Sequence, residues 1–333
     1  MKHTYITLLM GLLMVAVPGY AQETQCISAE DLVLEVTDSS TGEKILLSSD
    51  ETSPEVAAVP AQGSSPADKA QVSLASFDGQ DSSLKQITDN RIVLLHVGGK
   101  WQCSGAMVGP YAVLTASHCV VNSNDGKPVP SNSITAYAGG KSSNLIARGD
   151  RIFYSKLITK VHDFPYAPSI VANEDVALII LDKPLGKQTG YFGVKTPDAT
   201  VPGTRVNVKG FPGSKSNNRP WLSQGIVTNK GIPGIPGILS GDLLDFGCVR
   251  FSIAFHHTAF TEGGSSGGPV FFTRNPNQIV AVSSGYDFLL SLASKGLLEK
   301  LVTRYRYTRP HRAQTPVSAP VVRRLSLEMR KHK

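Results

Sequence analysis

The chain has 333 residues, enough for one large domain or two of moderate size with a sizeable core. Charged residues make up 18% of it and hydrophobic residues 41%, a balance that excludes a disordered or fibrous protein. The formal net charge of +7 is unevenly spread, because acidic residues crowd the N-terminal part of the chain. Short runs of Val, Ile, Leu and Tyr alternate with clusters of Gly, Pro, Asn and Ser, which predicts a chain dominated by β-strands.

Residues 1–21 have the features of a secretory signal peptide. A short basic start at Lys2 and His3 precedes an apolar stretch over residues 6–17 and the small-x-small sequence of residues 19–21. The apolar stretch is too short for a good membrane span, and no later stretch is long enough. The sequence therefore predicts an exported protein, secreted or periplasmic, without a transmembrane span.

Residues 22–75 differ in composition from the rest of the chain. Acidic residues dominate them, Lys44 and Lys69 are their only basic residues, and Ser, Pro and Ala become frequent over residues 53–70, as in a linker. An acidic segment ahead of a more basic region can be a pro-segment or simply a solvated tail. The export signal and the motifs described next favour an acidic pro-segment followed by a linker.

Three short motifs follow in the order His, Asp, Ser. Residues 114–119 read Leu-Thr-Ala-Ser-His-Cys, residues 175–180 read Asp-Val-Ala-Leu-Ile-Ile, and residues 261–270 read Thr-Glu-Gly-Gly-Ser-Ser-Gly-Gly-Pro-Val. Glycines around a serine allow positive φ and let a loop aim its amides at one point, as attack on a carbonyl requires. Alone, the third motif would indicate only a turn between two strands. Asp175 precedes a buried strand, where its carboxylate could accept a hydrogen bond from an imidazole.

Taken together, the motifs resemble those of the chymotrypsin-like (trypsin-fold) serine proteases. Their order distinguishes this family from subtilisins and from α/β-hydrolases. The resemblance covers roughly residues 90–290 and implies an all-β fold of two antiparallel six-stranded β-barrels with a C-terminal helix. Apolar spacing suits that helix over residues 287–305, although Gly296 weakens it. The implied domains are a first barrel over 76–190, a second barrel with the helix over 191–305, and a basic tail over 306–333.

The resemblance also implies a catalytic triad. Ser266 would be the nucleophile, because it and not Ser265 is followed directly by Gly-Gly-Pro. His118 would be the general base, and Asp175 would hold its imidazole. The amides of Gly264 and Ser266 would form the oxyanion hole. This mechanism needs neither a cofactor nor a metal.

Other histidines and aspartates are interpreted as structural. Asp163 and Asp182 precede no comparable apolar run, and we expect both to be loop charges. Among the histidines without a motif around them are His96, His162, His256 and His257.

The chain has four cysteines, and the resemblance implies a pairing for two of them. In the family that the chain resembles, Cys103 and Cys119 form a disulfide that pins the histidine loop, and export permits such a bond. Cys26 and Cys248 are left over. They could form a bridge that tethers the pro-segment, or Cys248 could be a buried free thiol while Cys26 is discarded with the segment.

Two departures from the trypsin pattern bear on activation and specificity. Ser265 stands where trypsin-like enzymes have an Asp that pairs with a newly freed N-terminal amine, which puts that activation switch in doubt. The bacterial glutamyl endopeptidase branch, which the Thr-x-Gly-Gly sequence of residues 261–264 resembles, also lacks this Asp. That branch has a histidine near the position of Val282 and Ser283 to meet an acidic side chain. This chain has none there, so glutamate specificity does not carry over.

The substrate pocket that the resemblance implies consists of Phe260, Thr261, Ser283 and Gly285, the last two on a strand that pairs with the substrate backbone. Trypsin-like enzymes carry Asp at the position of Phe260 to receive Lys or Arg. A phenyl ring cannot form that ion pair, so we expect cleavage after apolar or small residues.

Two other functions stay open beside a serine endopeptidase acting on a protein or peptide. A catalytically silent relative could bind polyanions, such as nucleic acid or acidic polysaccharide, through its basic face or tail. An esterase would use the same acyl chemistry. The intact set of three motifs favours the endopeptidase.

Overall fold

The computed structural model describes nine stretches of the chain. They are residues 33–48, 57–60, 84–122, 126–155, 175–195, 203–228, 254–284, 290–292 and 297–311. The predicted signal peptide, Cys26, Cys248, Asp163 and Gly285 lie outside the described residues. These stretches contain no candidate for a helical membrane span.

The first barrel is a closed ring of six antiparallel strands. The strands in this half of the chain are β1 (Val33–Asp38), β2 (Lys44–Ser48), β3 (Lys85–Gln86), β4 (Ile92–Val97), β5 (Trp101–Met107), β6 (Ala112–Thr115), β7 (Ile134–Ala138), β8 (Ile146–Ser155) and β9 (Ala177–Leu181). β4 pairs with β5 and β7, β6 pairs with β5 and β9, and β8 pairs with β7 and β9. The apolar run of β9 is buried along its whole length, as expected for a strand that packs against the core.

The second barrel closes in the same way. The remaining elements are α1 (Leu185–Thr189), β10 (Gly193–Val194), β11 (Arg205–Gly210), β12 (Trp221–Thr228), β13 (Ala254–His257), β14 (Pro269–Phe272), β15 (Gln278–Ser283), β16 (Leu290–Leu292) and α2 (Leu297–Tyr305). β11 pairs with β12 and β14, β13 pairs with β12 and β16, and β15 pairs with β14 and β16. β3 extends this sheet beside β12, so a strand that precedes the first barrel in the sequence joins the second barrel.

The prediction of an all-β fold with a C-terminal helix is confirmed. The predicted extent of the helix, residues 287–305, is wrong in its first part. Leu290–Leu292 forms the strand that closes the second barrel, and the helix begins only at Leu297. Over so short a run, the apolar residues fit the periodicity of a strand as well as that of a helix. Gly296 also disfavours a helix that continues through this region.

Part of the predicted pro-segment is folded onto the first barrel. β1 and β2 form a hairpin, and β1 pairs with the far half of β8. Val36 has no exposed surface and belongs to the same hydrophobic cluster as the strands of the barrel. The alternative of a merely solvated tail is therefore wrong for residues 33–48.

A buried ion-pair cluster joins the two barrels. The carboxylate of Asp89, just before β4, lies 2.9 Å from Nε of Arg91 and 2.9 Å from Nζ of Lys209 on β11. The Arg91 guanidinium also lies 4.0 Å from the ring centroid of Phe192, between the barrels in the chain. Burial alone would raise the pKa of Asp89, but the two cations outweigh it and lower that pKa to about 2.

We expect Asp89→Asn to destabilise the protein by about 2 kcal/mol at neutral pH, because both cations lose a buried anionic partner. In the wild type, a carboxyl pKa held below its ordinary 3.8 stabilises the fold above that pH, and this stability is lost as the pH falls toward about 2. The Asp89→Asn variant should not lose this part of the unfolding free energy when the pH is lowered. Urea unfolding at pH 7 and pH 2.5 measures both effects.

The control is Asn277→Ala, which removes only an exposed hydrogen bond to Arg91 and should keep the wild-type acid dependence. An Asp89→Asn variant with the same acid dependence as the wild type would contradict the assignment.

Candidate active site

Strand pairing brings His118 and Asp175 to one rim of the first barrel. His118 lies in a 3-10 turn, Ser117–Cys119, just after β6, and Asp175 lies just before β9. β6 and β9 are antiparallel, with Thr115 opposite Ala177, so the end of one strand meets the start of the other. This strand pairing brings together two residues that lie 57 positions apart in the sequence.

Asp175 accepts hydrogen bonds from His118 on both carboxylate oxygens. The His118 amide donates to Oδ1 at 2.9 Å, and the ring Nδ1 lies 2.6 Å from Oδ2. The Asp175 side chain is only 5% exposed, whereas that of His118 is 36% exposed. The pair thus holds the imidazole by Nδ1 and leaves Nε2 for other chemistry.

A third residue, Ser284, completes this arrangement from the second barrel. Its hydroxyl donates to Oδ2 of Asp175. Sequence reasoning missed Ser284 and named its neighbour Ser283, which is buried and uses its backbone instead. The Ser283 amide donates to the carbonyl of Gly268 at 2.8 Å, and its carbonyl accepts from Gly267 at 2.7 Å. The sequence shows two consecutive serines at the end of β15. It does not indicate which of them turns its side chain toward the first barrel.

The charges of this pair stabilise each other. Burial works against the charged imidazole, but the Asp175 carboxylate outweighs it and raises the pKa of His118 above its ordinary 6.5. Burial would likewise raise the pKa of Asp175, yet the imidazole and the hydrogen bonds from His118 and Ser284 lower it. The site therefore favours an ionised carboxylate beside an imidazole that accepts a proton readily.

Ser266 lies in the loop between β13 and β14, and glycines determine the path of this loop. Gly264 has φ +95° and Gly267 has φ +80°, conformations that side chains of L-residues disfavour. A Cβ at Gly267 would lie 2.1 Å from Oγ1 of Thr115, so a larger residue has no room there. The first barrel is packed directly against the loop.

The bridge between Cys103 and Cys119 connects β5 with the histidine turn. The two sulfur atoms lie 2.02 Å apart, the length of a disulfide bond. Sγ of Cys119 lies 3.9 Å from Nε2 of His118 and 3.6 Å from the carbonyl oxygen of Ser266. The Cys119 sulfur therefore contacts both the catalytic histidine candidate and the backbone of Ser266.

The amides of Gly264 and Ser266 donate no hydrogen bond within the described part of the chain. The carbonyl before each amide is fixed, because Gly263 accepts from Gly213 at 2.7 Å and Ser265 accepts from Gly268 at 2.9 Å. In a trans peptide the N–H points away from the preceding carbonyl. Both N–H groups thus have set directions and remain available to an anion.

Ser104 on β5 holds this loop from the first barrel. It has no exposed surface. Its hydroxyl donates to the carbonyl of Gly264 at 2.7 Å and accepts from the Phe211 amide at 2.8 Å. Its own amide donates to the carbonyl of Ser266 at 2.7 Å. Sequence reasoning missed Ser104, because a serine after a cysteine in a strand carries no motif.

A second contact holds the loop from within its own barrel. Oε1 of Glu262 accepts from the Ser214 amide at 2.7 Å and from the Ser214 hydroxyl at 2.5 Å. Ser265, where trypsin-like enzymes have Asp, is buried and accepts from the Glu262 amide at 3.3 Å. Hydrogen bonds from neighbouring loops therefore fix the loop.

Two of the predicted pocket residues, Phe260 and Thr261, lie at the start of this loop. Phe260 is half-buried, and Oγ1 of Thr261 is buried without a hydrogen-bond partner in the structure. His257, interpreted as structural, is buried at the end of β13, and His96 packs edge-on against Tyr137. Asp182, interpreted as a loop charge, accepts from the Arg148 amide.

In the described part of the chain, one cluster of metal-ligating types occurs, formed by Cys103, His118 and Cys119. It does not fit a metal ion, because the two sulfurs are bonded to each other and only one nitrogen is left.

A family model, the trypsin-like peptidase domain, matches residues 103–282, more than half of the chain. The chain therefore belongs to this family and is a chymotrypsin-like serine protease in family and fold.

Among its relatives is a glutamyl endopeptidase of Bacillus licheniformis, 26% identical over 216 residues, or 63% of this chain and 59% of that protein. An extracellular metalloprotease of Bacillus subtilis is 32% identical over 123 residues, 36% of each chain. The chain thus spans about three fifths of the length of the first relative and about a third of the second. A solved structure of a Glu endopeptidase shares the fold, with a TM-score of 0.52 at 19% identity over 69% of this chain and 99% of that one. The resemblance to the glutamyl endopeptidase branch is confirmed.

We expect Ser104→Ala to leave the buried Gly264 carbonyl and Phe211 amide without a partner, at a cost of about 1–3 kcal/mol in unfolding free energy. Loosening the loop should also lower kcat roughly tenfold, with a smaller change in KM, because the donors would no longer be held in place. Urea unfolding and steady-state peptide hydrolysis measure the two effects. Ser142→Ala is the control, since Ser142 is exposed and donates to Asn218 away from the loop. A Ser104→Ala variant with unchanged kcat would contradict this role.

Proposed function

We propose that the protein is a secreted serine endopeptidase that hydrolyses peptide bonds through Ser266, His118 and Asp175. The observation that carries the proposal is the 2.6 Å contact between Nδ1 of His118 and the buried carboxylate of Asp175, beside the Ser266 loop. Family membership supports the same reaction class. No contact of the described residues favours an esterase or a silent binding protein.

In this mechanism, Oγ of Ser266 attacks the substrate carbonyl while Nε2 of His118 takes its proton. Asp175 stabilises the imidazolium that forms, which agrees with the raised pKa of His118. The amides of Gly264 and Ser266 donate to the oxyanion. His118 then gives its proton to the leaving amine, and water repeats the cycle on the acyl-enzyme to regenerate Ser266.

We infer that the pocket receives apolar or small side chains. Phe260 offers a ring where a carboxylate would be needed to pair with Lys or Arg. Thr261 adds a buried hydroxyl without a partner, which is small and uncharged. Ser283 presents no cation to a glutamate side chain, although the relatives include a glutamyl endopeptidase.

Polyanion binding through the basic tail receives no support from its described start. Arg306 is buried, its Nε donates to the carbonyl of Val108 at 3.0 Å, and its guanidinium lies 4.8 Å from the ring centroid of Tyr191. This arginine therefore belongs to the packing of the fold.

We expect Ser266→Ala to abolish peptide hydrolysis, a loss on the order of 10⁶-fold in kcat, without unfolding the protein. The glycines of the loop, and not the hydroxyl, set its shape. Ser265→Ala is the matched control and should keep substantial activity. Hydrolysis of peptides with apolar, Lys or Glu residues before the cleaved bond, together with labelling by a fluorophosphonate, measures both variants. An inactive Ser265→Ala beside an active Ser266→Ala would show that the nucleophile is misassigned.

We also propose that the protein is exported as a precursor whose acidic segment is cut near residues 70–80. The support is the signal-like sequence of residues 1–21 and the acid-rich composition that follows it. We expect the uncut exported chain to be poorly active. Mass analysis of the N-terminus alongside peptide hydrolysis tests this, and full activity of an uncut chain would rule out latency.

A further inference from the structure

The N-terminal hairpin, β1 and β2 over residues 33–48, covers a strand edge of the first barrel. β7 pairs with only the first part of β8, up to Arg148. At the far end of β8, β1 pairs along the edge that β7 leaves free, with Val36 opposite Ser155 and Asp38 opposite Phe153. An unpaired strand edge is open to pairing with any extended chain, and this one is filled by the protein's own segment.

The pairing continues into the turn of the hairpin. The Ser39 amide donates to the carbonyl of Ile152 at 2.8 Å, and the Ile152 amide donates to Oγ of Ser39 at 2.9 Å. Asp38 is buried, and its carboxylate lies 3.7 Å from Nη1 of Arg151. Backbone, side-chain and ionic contacts thus join the hairpin to β8.

The hairpin also contributes to the hydrophobic core. Val36 has no exposed surface, Leu47 is 6% exposed, and both belong to the cluster that fills the first barrel. Their removal would expose apolar surface of this cluster to water. Leu46, on the opposite face of β2, is 66% exposed, as the alternation of a strand requires.

A second anchor lies farther along the same segment. Val59 and Tyr191 exchange two backbone hydrogen bonds, at 2.9 and 2.7 Å. Nη2 of Arg306 donates to the carbonyl of Ala57 at 3.1 Å, while Nε of Arg306 donates to Val108. The segment is therefore held at one point by β8 and at another by the region between the barrels and the end of α2.

The described part of the segment bonds to residues other than the candidate catalytic ones. Its hydrogen bonds and ion pairs within the described residues do not include His118, Asp175 or Ser266. It reaches the site indirectly, since Ser155, opposite Val36, accepts through its carbonyl a hydrogen bond from the Ser117 hydroxyl at 3.0 Å. The hairpin thus pairs with the strand that holds the histidine turn.

We propose that residues 33–60 stay bound to the barrels as a non-covalent second chain after the precursor is cut near residues 70–80. The segment is then a permanent part of the mature protein, and its partner is the far edge of β8. Retention of the segment in the natural protein depends on the precursor cleavage proposed above. An engineered cut tests retention whether or not natural processing occurs.

The test uses the exported chain with Cys26→Ser, which removes any disulfide tether, and with the recognition sequence of a site-specific protease in place of residues 66–71. After the cut, the fragment that contains residues 33–60 should elute with the barrels in a one-to-one ratio on native gel filtration. It should separate only in denaturant. A fragment that elutes alone, while the barrels elute as a folded monomer, would overturn the proposal.

A matched pair of variants identifies the surface that retains the fragment. Val36→Ala should lower the urea concentration at which the fragment separates, because it removes buried methyl groups from the interface with the barrel. Leu46→Ala, on the exposed face of the same hairpin, should leave that concentration unchanged. If both variants separate at the wild-type concentration, the hairpin is not the contact that retains the fragment, and the proposal fails.

Discussion

The candidate active site depends on the contact that Ser104 makes across the two barrels. This fully buried serine of the first barrel bonds the serine loop at Gly264 and Ser266 and bonds the second barrel at Phe211. A buried hydroxyl that both donates and accepts fixes two neighbouring backbone groups at once. The amides proposed to bind the oxyanion are therefore held in place by the barrel that carries the histidine and the aspartate.

Other polar contacts cross the same interface. Ser284 donates to Asp175 from the second barrel, and Lys209 of that barrel pairs with Asp89 of the first. Each of these contacts is costly to break, because it would leave a charged or polar group buried without its partner. A site assembled from two barrels needs this kind of fixation, since catalysis depends on distances set between residues of different domains.

The first barrel is likewise stabilised by residues that precede it in the sequence. Its core includes Val36 and Leu47, and β8 gains a partner strand from the same hairpin. A segment that composition marks as separate from the catalytic region is thus part of its architecture. Charge and linker-like composition describe how a segment interacts with water, whereas two or three buried side chains decide whether it packs.

The sequence by itself determined the fold family, the chain order of the three motifs and the strands around them. Glycines around Ser266 and apolar runs after Asp175 leave few conformations open, so local patterns suffice there. Only the tertiary structure decided that Ser284 turns toward Asp175, that Ser104 holds the serine loop, and that residues 290–292 form a strand. These outcomes depend on partners far away in the chain, and a side chain without a local pattern acquires its role only from what the fold places beside it.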